Sequence, residues 1–97
     1  MRSPHVTIDP VTYSDHALQR MAQRGIRQAA VERAITFGRR WRAQGSRKYR
    51  IDRGTLAAHR SLAPLLRECE GITVVLAAAE NLVLTVYRNR EGEKVWR

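Results

Sequence analysis

Between residues 14 and 37 the apolar positions recur with helical spacing, interrupted once by a glycine. At about 100° per residue, Ala17, Leu18, Met21 and Ala22 cover one arc, which reads as the core face of a first helix over about Asp15–Arg24. Ser14 stands at the N-cap, where its hydroxyl can take a backbone N–H of the first turn. Asp15 places negative charge at the positive end of the helix dipole, and Gly25 follows as a C′ residue. A second helix over about Gln28–Phe37 turns Val31, Ala34 and Ile35 inward, with Ile26 and Val31 spaced as a hydrophobic staple. Arg27 is a poor N-cap for it, and Gly38 is read as its C′ residue. Leu18, Met21, Val31 and Ile35 are the expected contacts of this helical hairpin with a sheet.

Beyond Gly38 the period falls to two. Arg39–Ala43 and Ser46–Ile51 are extended segments around a tight turn at Gln44-Gly45. Alternation puts Arg47, Tyr49 and Ile51 on one face of the second segment and Lys48 and Arg50 on the other. Asp52-Arg53-Gly54 reads as a loop, followed by a short helix from Thr55 to Ser61 capped by Thr55. Pro64 ends that piece or starts another around Leu65–Glu68. Ile72–Ala78 is a continuous apolar, β-branched run, the pattern of a strand buried on both faces. Glu80-Asn81 is read as a turn, with Asn81 tolerant of positive φ. Leu82–Asn89 returns as the partner strand, with Leu82, Leu84 and Val86 on one face and Val83, Thr85 and Tyr87 on the other. The expected architecture is α+β: two N-terminal helices packed on a four-stranded, mostly antiparallel sheet, with a helical insertion between strands two and three. Residues 1–12, with Val6-Thr7-Ile8 extended, form an arm, and residues 90–97 a charged tail on which Trp96 can dock.

Ninety-seven residues make one domain with a single core. Composition then changes the picture through charge. Eighteen Lys/Arg against nine Asp/Glu leave a formal net charge of +9, and lysine occurs only at Lys48 and Lys94. An arginine excess of this size favours bidentate contact with phosphate, so nucleic acid is the first expected partner, ahead of an acidic protein and a membrane surface. Cys69 is the only cysteine, which excludes an intrachain disulfide and a cysteine zinc cluster. It suits a reduced, cytoplasmic setting. The N-terminus has no apolar signal region, and the run from Ile72 to Ala79 is too short to span a bilayer.

The charge also has a pattern. His16, Arg20 and Arg24 fall at i, i+4 and i+8, a stripe roughly 12 Å long on the first helix. One imidazole and two guanidiniums on such a line could meet two successive phosphates. As a plain alternative, the stripe is a solvated basic face that happens to hold a histidine.

The residues His16-Ala17-x-x-Arg20-Met21-x-x-Arg24-Gly25-Ile26, followed by a second helix, a basic hairpin and a closing Val83-Leu84-Thr85-Val86-Tyr87-Arg88-Asn89, resemble a small bacterial family catalogued as domain of unknown function 4258. The resemblance covers roughly Tyr13 to Asn89. Members of that family look like relatives of RelE-type and barnase-like ribonuclease folds used as toxin modules. The stretch from Gly54 to Gly71 departs from the shorter members and resembles a subgroup with an extra helix.

RNA can be cut without a metal by a base on the 2′-OH, cations on the phosphorane and an acid at the leaving oxygen. His16 is the candidate base, Arg20, Arg24 and Arg88 the candidate phosphate clamps, and Tyr87 or Tyr49 a proton donor or stacking ring. The catalytic set is then His16, Arg20 and Tyr87, with Arg24, Lys48, Tyr49, Arg50 and Arg88 holding RNA. Each has a structural alternative: His16 as a helix anchor, Arg20 and Arg24 paired with Glu32 or Asp52, and both tyrosines as strand residues at the core edge. His5 and His59 have no companions and read as surface residues. The carboxylates lack metal-ligand spacing, so a metal-dependent nuclease is not expected, and no Gly-rich phosphate loop or Ser/His/Asp signature calls for a cofactor or nucleophile. Two function classes follow. One is a metal-independent endoribonuclease of the toxin type, acting on RNA, with the ribosome as a setting and an acidic antitoxin as partner. The other is a non-catalytic nucleic-acid-binding or regulatory module.

Overall fold

The computed structural model describes residues 11–88. Those residues form β1 (Thr12–Tyr13), α1 (Asp15–Arg24), α2 (Gln28–Phe37), β2 (Arg39–Ala43), β3 (Ser46–Arg50), α3 (Arg53–Ala58), α4 (Ala63–Leu66), β4 (Ile72–Ala77) and β5 (Leu82–Arg88), with single 3-10 turns at Arg60–Leu62 and Arg67–Cys69. The strands make one sheet in the order β1-β5-β4-β3-β2. All neighbours are antiparallel except β1, which runs parallel to β5. The architecture is α+β as expected, with five strands in place of four. The extra strand is two residues long, too short for any period to reveal. It is held by Thr12 N donating to Asn81 O at 2.9 Å and Ser14 N donating to Val83 O at 3.0 Å. The expected extended arm at Val6-Thr7-Ile8, the tail with Trp96, and His5 lie outside the described residues.

Helix α1 starts as its sequence dictates: Ser14 Oγ accepts from Ala17 N at 3.0 Å, and Gly25 closes the helix with φ 64°. The same Ser14 hydroxyl donates to Leu84 O at 3.0 Å, so one side chain caps α1 and fastens it to β5. The buried face of α1 is Ala17 and Met21, however, while Leu18 is 51% exposed and Ala22 lies in solvent. Placing Leu18 in the core was therefore wrong. The helix is rotated so that the side carrying Arg20, itself half-buried, lies nearer the sheet. Val31 and Ala34 of α2 are fully buried, Ile35 packs beside them, and Ile26 completes the staple. Gly38 is extended rather than left-handed (φ −73°), and its need for glycine is steric: a Cβ there would meet Ala34 O at 2.4 Å and Arg50 O at 2.8 Å. That close approach lets α2 pass directly into β2.

In the sheet, Tyr49, Ile51, Ile72, Val74, Leu76, Val83 and Val86 form one cluster with the buried residues of the helices. Among the described residues, each helix packs against this cluster, which places the helices on one face of the sheet. Both Gln44 (φ 55°) and Gly45 (φ 76°) take positive φ, the two-residue hairpin that the sequence signalled. In β5 the expected strict alternation fails. Val75 pairs with Thr85 but Leu76 pairs with Val83, so Leu84 is an extra residue and Val83 and Val86 both reach the core. Positive φ at Asn81 is not observed; instead its side chain accepts from Arg47 Nη2 at 3.2 Å.

The insertion also starts differently from expectation. Asp52, read as loop, is the N-cap of α3 and forms a capping box with Thr55, Thr55 N donating to Asp52 Oδ1 at 2.9 Å. Pro64 opens α4. Leu66 and Cys69 are fully buried against the helix side of the sheet. Glu68 pairs with Arg27 at 3.6 Å and Arg33 at 3.3 Å, joining the insertion to α2.

Two consequences can be measured. Leu66→Ala should cost about 2–5 kcal/mol in denaturant melts, the usual loss for a fully buried leucine, whereas the exposed Leu18→Ala should cost less than about 0.5 kcal/mol. Burial acts to raise the Asp52 pKa, but the Thr55 N–H and hydroxyl and the Arg39 guanidinium outweigh it and hold the carboxyl below the usual carboxylate range. Its ionised form is therefore favoured by folding, and that stability is complete above about pH 4 and lost as pH falls through the lowered pKa. Asp52→Asn keeps a capping acceptor while removing the charge, so it should flatten this part of the acid-unfolding profile.

Candidate nucleic-acid interface

The register sorts the candidate residues onto opposite sides of the sheet. Across the face turned away from the helices, Arg39, Arg50, Thr73 and Tyr87 make one row and Trp41, Lys48, Val75 and Thr85 the next. Those rows follow from pairing alone, because successive side chains on a strand alternate faces. Trp41, Lys48, Arg50, Thr85 and Tyr87 are half-buried, Arg39 is exposed, and Thr73 and Val75 beneath them are buried. No acidic side chain stands in either row.

Three contacts order this surface. The Arg39 guanidinium lies 4.9 Å from the centre of the Trp41 ring, and Arg39 Nε donates to Asp52 Oδ2 at 3.2 Å. The carboxylate that caps α3 thus also holds the cation that braces the indole. Arg50 Nη1 donates to Thr73 Oγ1 at 3.4 Å, which lays that guanidinium across β4. Beside Arg39 a shallow cleft of about 300 Å³ opens between the end of α2 and α3, lined among others by Phe37, Asp52, Thr55 and His59. His59, read as a surface residue, is half-buried there with its ring 5.5 Å from that of Phe37 in an edge-on contact.

The helical stripe forms a second, separate surface. His16 and Arg24 are exposed and Arg20 half-buried on α1. Arg20 Nε donates to His16 Nε2 at 3.5 Å, and Arg20 Nη1 donates to Gln23 Oε1 at 3.3 Å. Neither Arg20 nor Arg24 forms an ion pair among the described residues; the carboxylate of Asp52 is taken by Arg39.

The structure brings His16 and Arg20 together and places Tyr87 on the other face of the sheet, so the three residues read as a catalytic set do not converge. Lys48 and Arg50 share a face with Tyr87. Tyr49 is only 6% exposed and its ring belongs to the core, which leaves nothing to stack on an RNA base. Arg88 pairs in register with Ile72 on the helix side, and its Nη2 donates to Glu68 O at 3.4 Å. Arg39 and Trp41, at the β2 edge of this face, carried no assigned role in the sequence. The signal was present: alternation along Arg39–Ala43, folded back at Gln44-Gly45, already sets Trp41 opposite Lys48 and Arg39 opposite Arg50.

None of the helices described is long and apolar enough to cross a membrane. No curated protein and no solved structure matches the chain. A family model described as domain of unknown function DUF4258 matches residues 13–88, from the last residue of β1 to the last of β5. The chain belongs to the DUF4258 family.

Proposed function

We propose that this protein binds RNA and grips its phosphates with cations that the fold leaves without acidic partners. One observation carries the reading. Among the described residues, the ion pairs engage Arg27, Arg33 and Arg39 with Glu68 and Asp52, while Lys48 and Arg50 on the sheet and Arg20 and Arg24 on α1 form none. Ion pairing within the described residues therefore does not account for these charges, and phosphate is the partner whose geometry suits arginine best. A cytoplasmic setting fits the buried, unpaired thiol of Cys69.

A second reading is favoured by the contact between Arg20 and His16. A base and a guanidinium within reach of one phosphate are two of the three elements of a metal-independent endoribonuclease. This reading includes the likeness to RelE-type and barnase-like toxins, the ribosome as a setting and an acidic antitoxin as partner. It needs an acid other than Tyr87, which stands behind the sheet from His16.

Affinity for an unstructured RNA should fall with salt along a straight line in log–log coordinates, with a slope of about −0.7 per phosphate held. Lys48→Ala and Arg50→Ala should each reduce that slope by about one such increment. A flat salt dependence would remove the electrostatic basis of the proposal. For the second reading, His16→Ala should leave affinity nearly intact while cleavage drops roughly 10²–10⁴-fold. RNA that stays whole with the wild type, with and without ribosomes, leaves only the binding module.

A further inference from the structure

We infer that the helix-free face of the sheet is a stacking platform for a single-stranded segment of RNA, with Trp41 and Tyr87 beneath bases and Lys48 and Arg50 between them on the phosphates. The inference rests on the RNA-binding reading and specifies which form of RNA is bound and where.

A surface that only attracted phosphate would need cations alone. Here two aromatic rings stand at opposite ends of the cationic rows, Trp41 on β2 and Tyr87 on β5, with Lys48 and Arg50 on β3 between them. Three strand spacings of about 4.8 Å separate β2 from β5, so the rings lie roughly 14 Å apart across the strands. That span accommodates a short run of nucleotides, as on four-stranded sheets that stack two or three bases.

The indole is also prepared for stacking. Arg39 is fixed between Asp52 at 3.2 Å and the Trp41 ring at 4.9 Å, so the indole is braced before any ligand arrives. A base laid against this pair meets a π-face and an adjoining guanidinium, both of which stack on any base without reading its sequence. Next to Tyr87 on β5 the Thr85 hydroxyl, half-buried on the same face, can bond a ribose 2′-OH. The charge complementarity has one sign only, because neither row contains an acid.

Duplex RNA cannot use such a surface. Its bases are stacked on one another, and it offers only phosphates, 2′-hydroxyls and groove edges. The platform therefore discriminates by strandedness, whereas the α1 stripe carries no Phe, Tyr or Trp ring.

The test compares an unstructured RNA of about ten nucleotides with a perfectly paired RNA hairpin, both labelled, by fluorescence anisotropy on the full chain at one fixed salt concentration. Wild type should bind the single strand more tightly than the hairpin. Trp41→Ala and Tyr87→Ala should each weaken single-strand binding by roughly 5- to 150-fold, the usual worth of one stacked base, and leave hairpin binding within about twofold. Trp41→Phe, which keeps a π-face, should restore most of the affinity, and thermal melts identify any variant that has lost its fold. Since the chain has two tryptophans, Trp41 and Trp96, a Trp96→Phe background isolates the indole of interest. Its fluorescence should be quenched by the single strand and not by the hairpin. Folded Trp41→Ala and Tyr87→Ala proteins that bind the single strand as well as wild type, or an unquenched indole at saturation, overturn the platform while RNA binding itself stands. Failure of wild type to bind either RNA at low salt overturns the RNA-binding reading and the platform with it.

Discussion

Every surface of this protein depends on how β4 is seated. Ile72, Thr73, Val74, Val75 and Leu76 are all buried, and β4 is hydrogen-bonded to β3 on one side and β5 on the other. With one face pressed against the helices, its register cannot slip, because a shift of one residue would exchange the core and outer faces of the strand. Seating Val74 beneath the helices fixes Tyr49 beside it, and through β3 the order of Arg39, Trp41, Lys48 and Arg50 on the far side. The chemistry displayed to solvent is thus a consequence of hydrophobic burial three strands deep. The Leu84 bulge has the same origin: it lets Val83 and Val86 both reach the core, and the Ser14 hydroxyl takes up the Leu84 carbonyl.

Much of this was legible in the sequence. Ser14 and Gly25 mark the ends of α1, the Gln44-Gly45 turn marks the hairpin, and the apolar run at Ile72 marks the central strand, because each is a local signal with a local cause. What escaped reading depended on contacts distant in sequence. The two residues of β1 acquire strand identity only from β5. Leu18 has the same helical phase argument as Met21, but the rotation of α1 on the sheet decides which of them is buried. Asp52 looks like a loop residue until Thr55 and Arg39 are seen to converge on it. Tyr49 was correctly placed opposite Lys48, yet the choice of which side faces the helices lies with β4.

The candidate site shows the same division. The stripe His16, Arg20 and Arg24 was readable because helical spacing is periodic, and the contact between Arg20 and His16 follows from i, i+4 geometry. Tyr87 could not be assigned to that stripe or away from it without the sheet, which separates them. The role of Trp41 required joining two readings already in hand, the alternation of the hairpin and its turn. The result is two basic surfaces of different character. One is a line of charges beside a histidine, suited to phosphate. The other is a braced indole, a phenol and cations on one plane, suited to bases as well.

The most direct test of this account is to locate the RNA on the protein. Photo-crosslinking of a single-stranded RNA carrying 4-thiouridine, followed by peptide mapping, should place the adducts on the β2–β3 hairpin and β5, with Trp41 and Tyr87 among the modified residues. Adducts confined to α1 around His16, Arg20 and Arg24, with the hairpin unmodified, would contradict it.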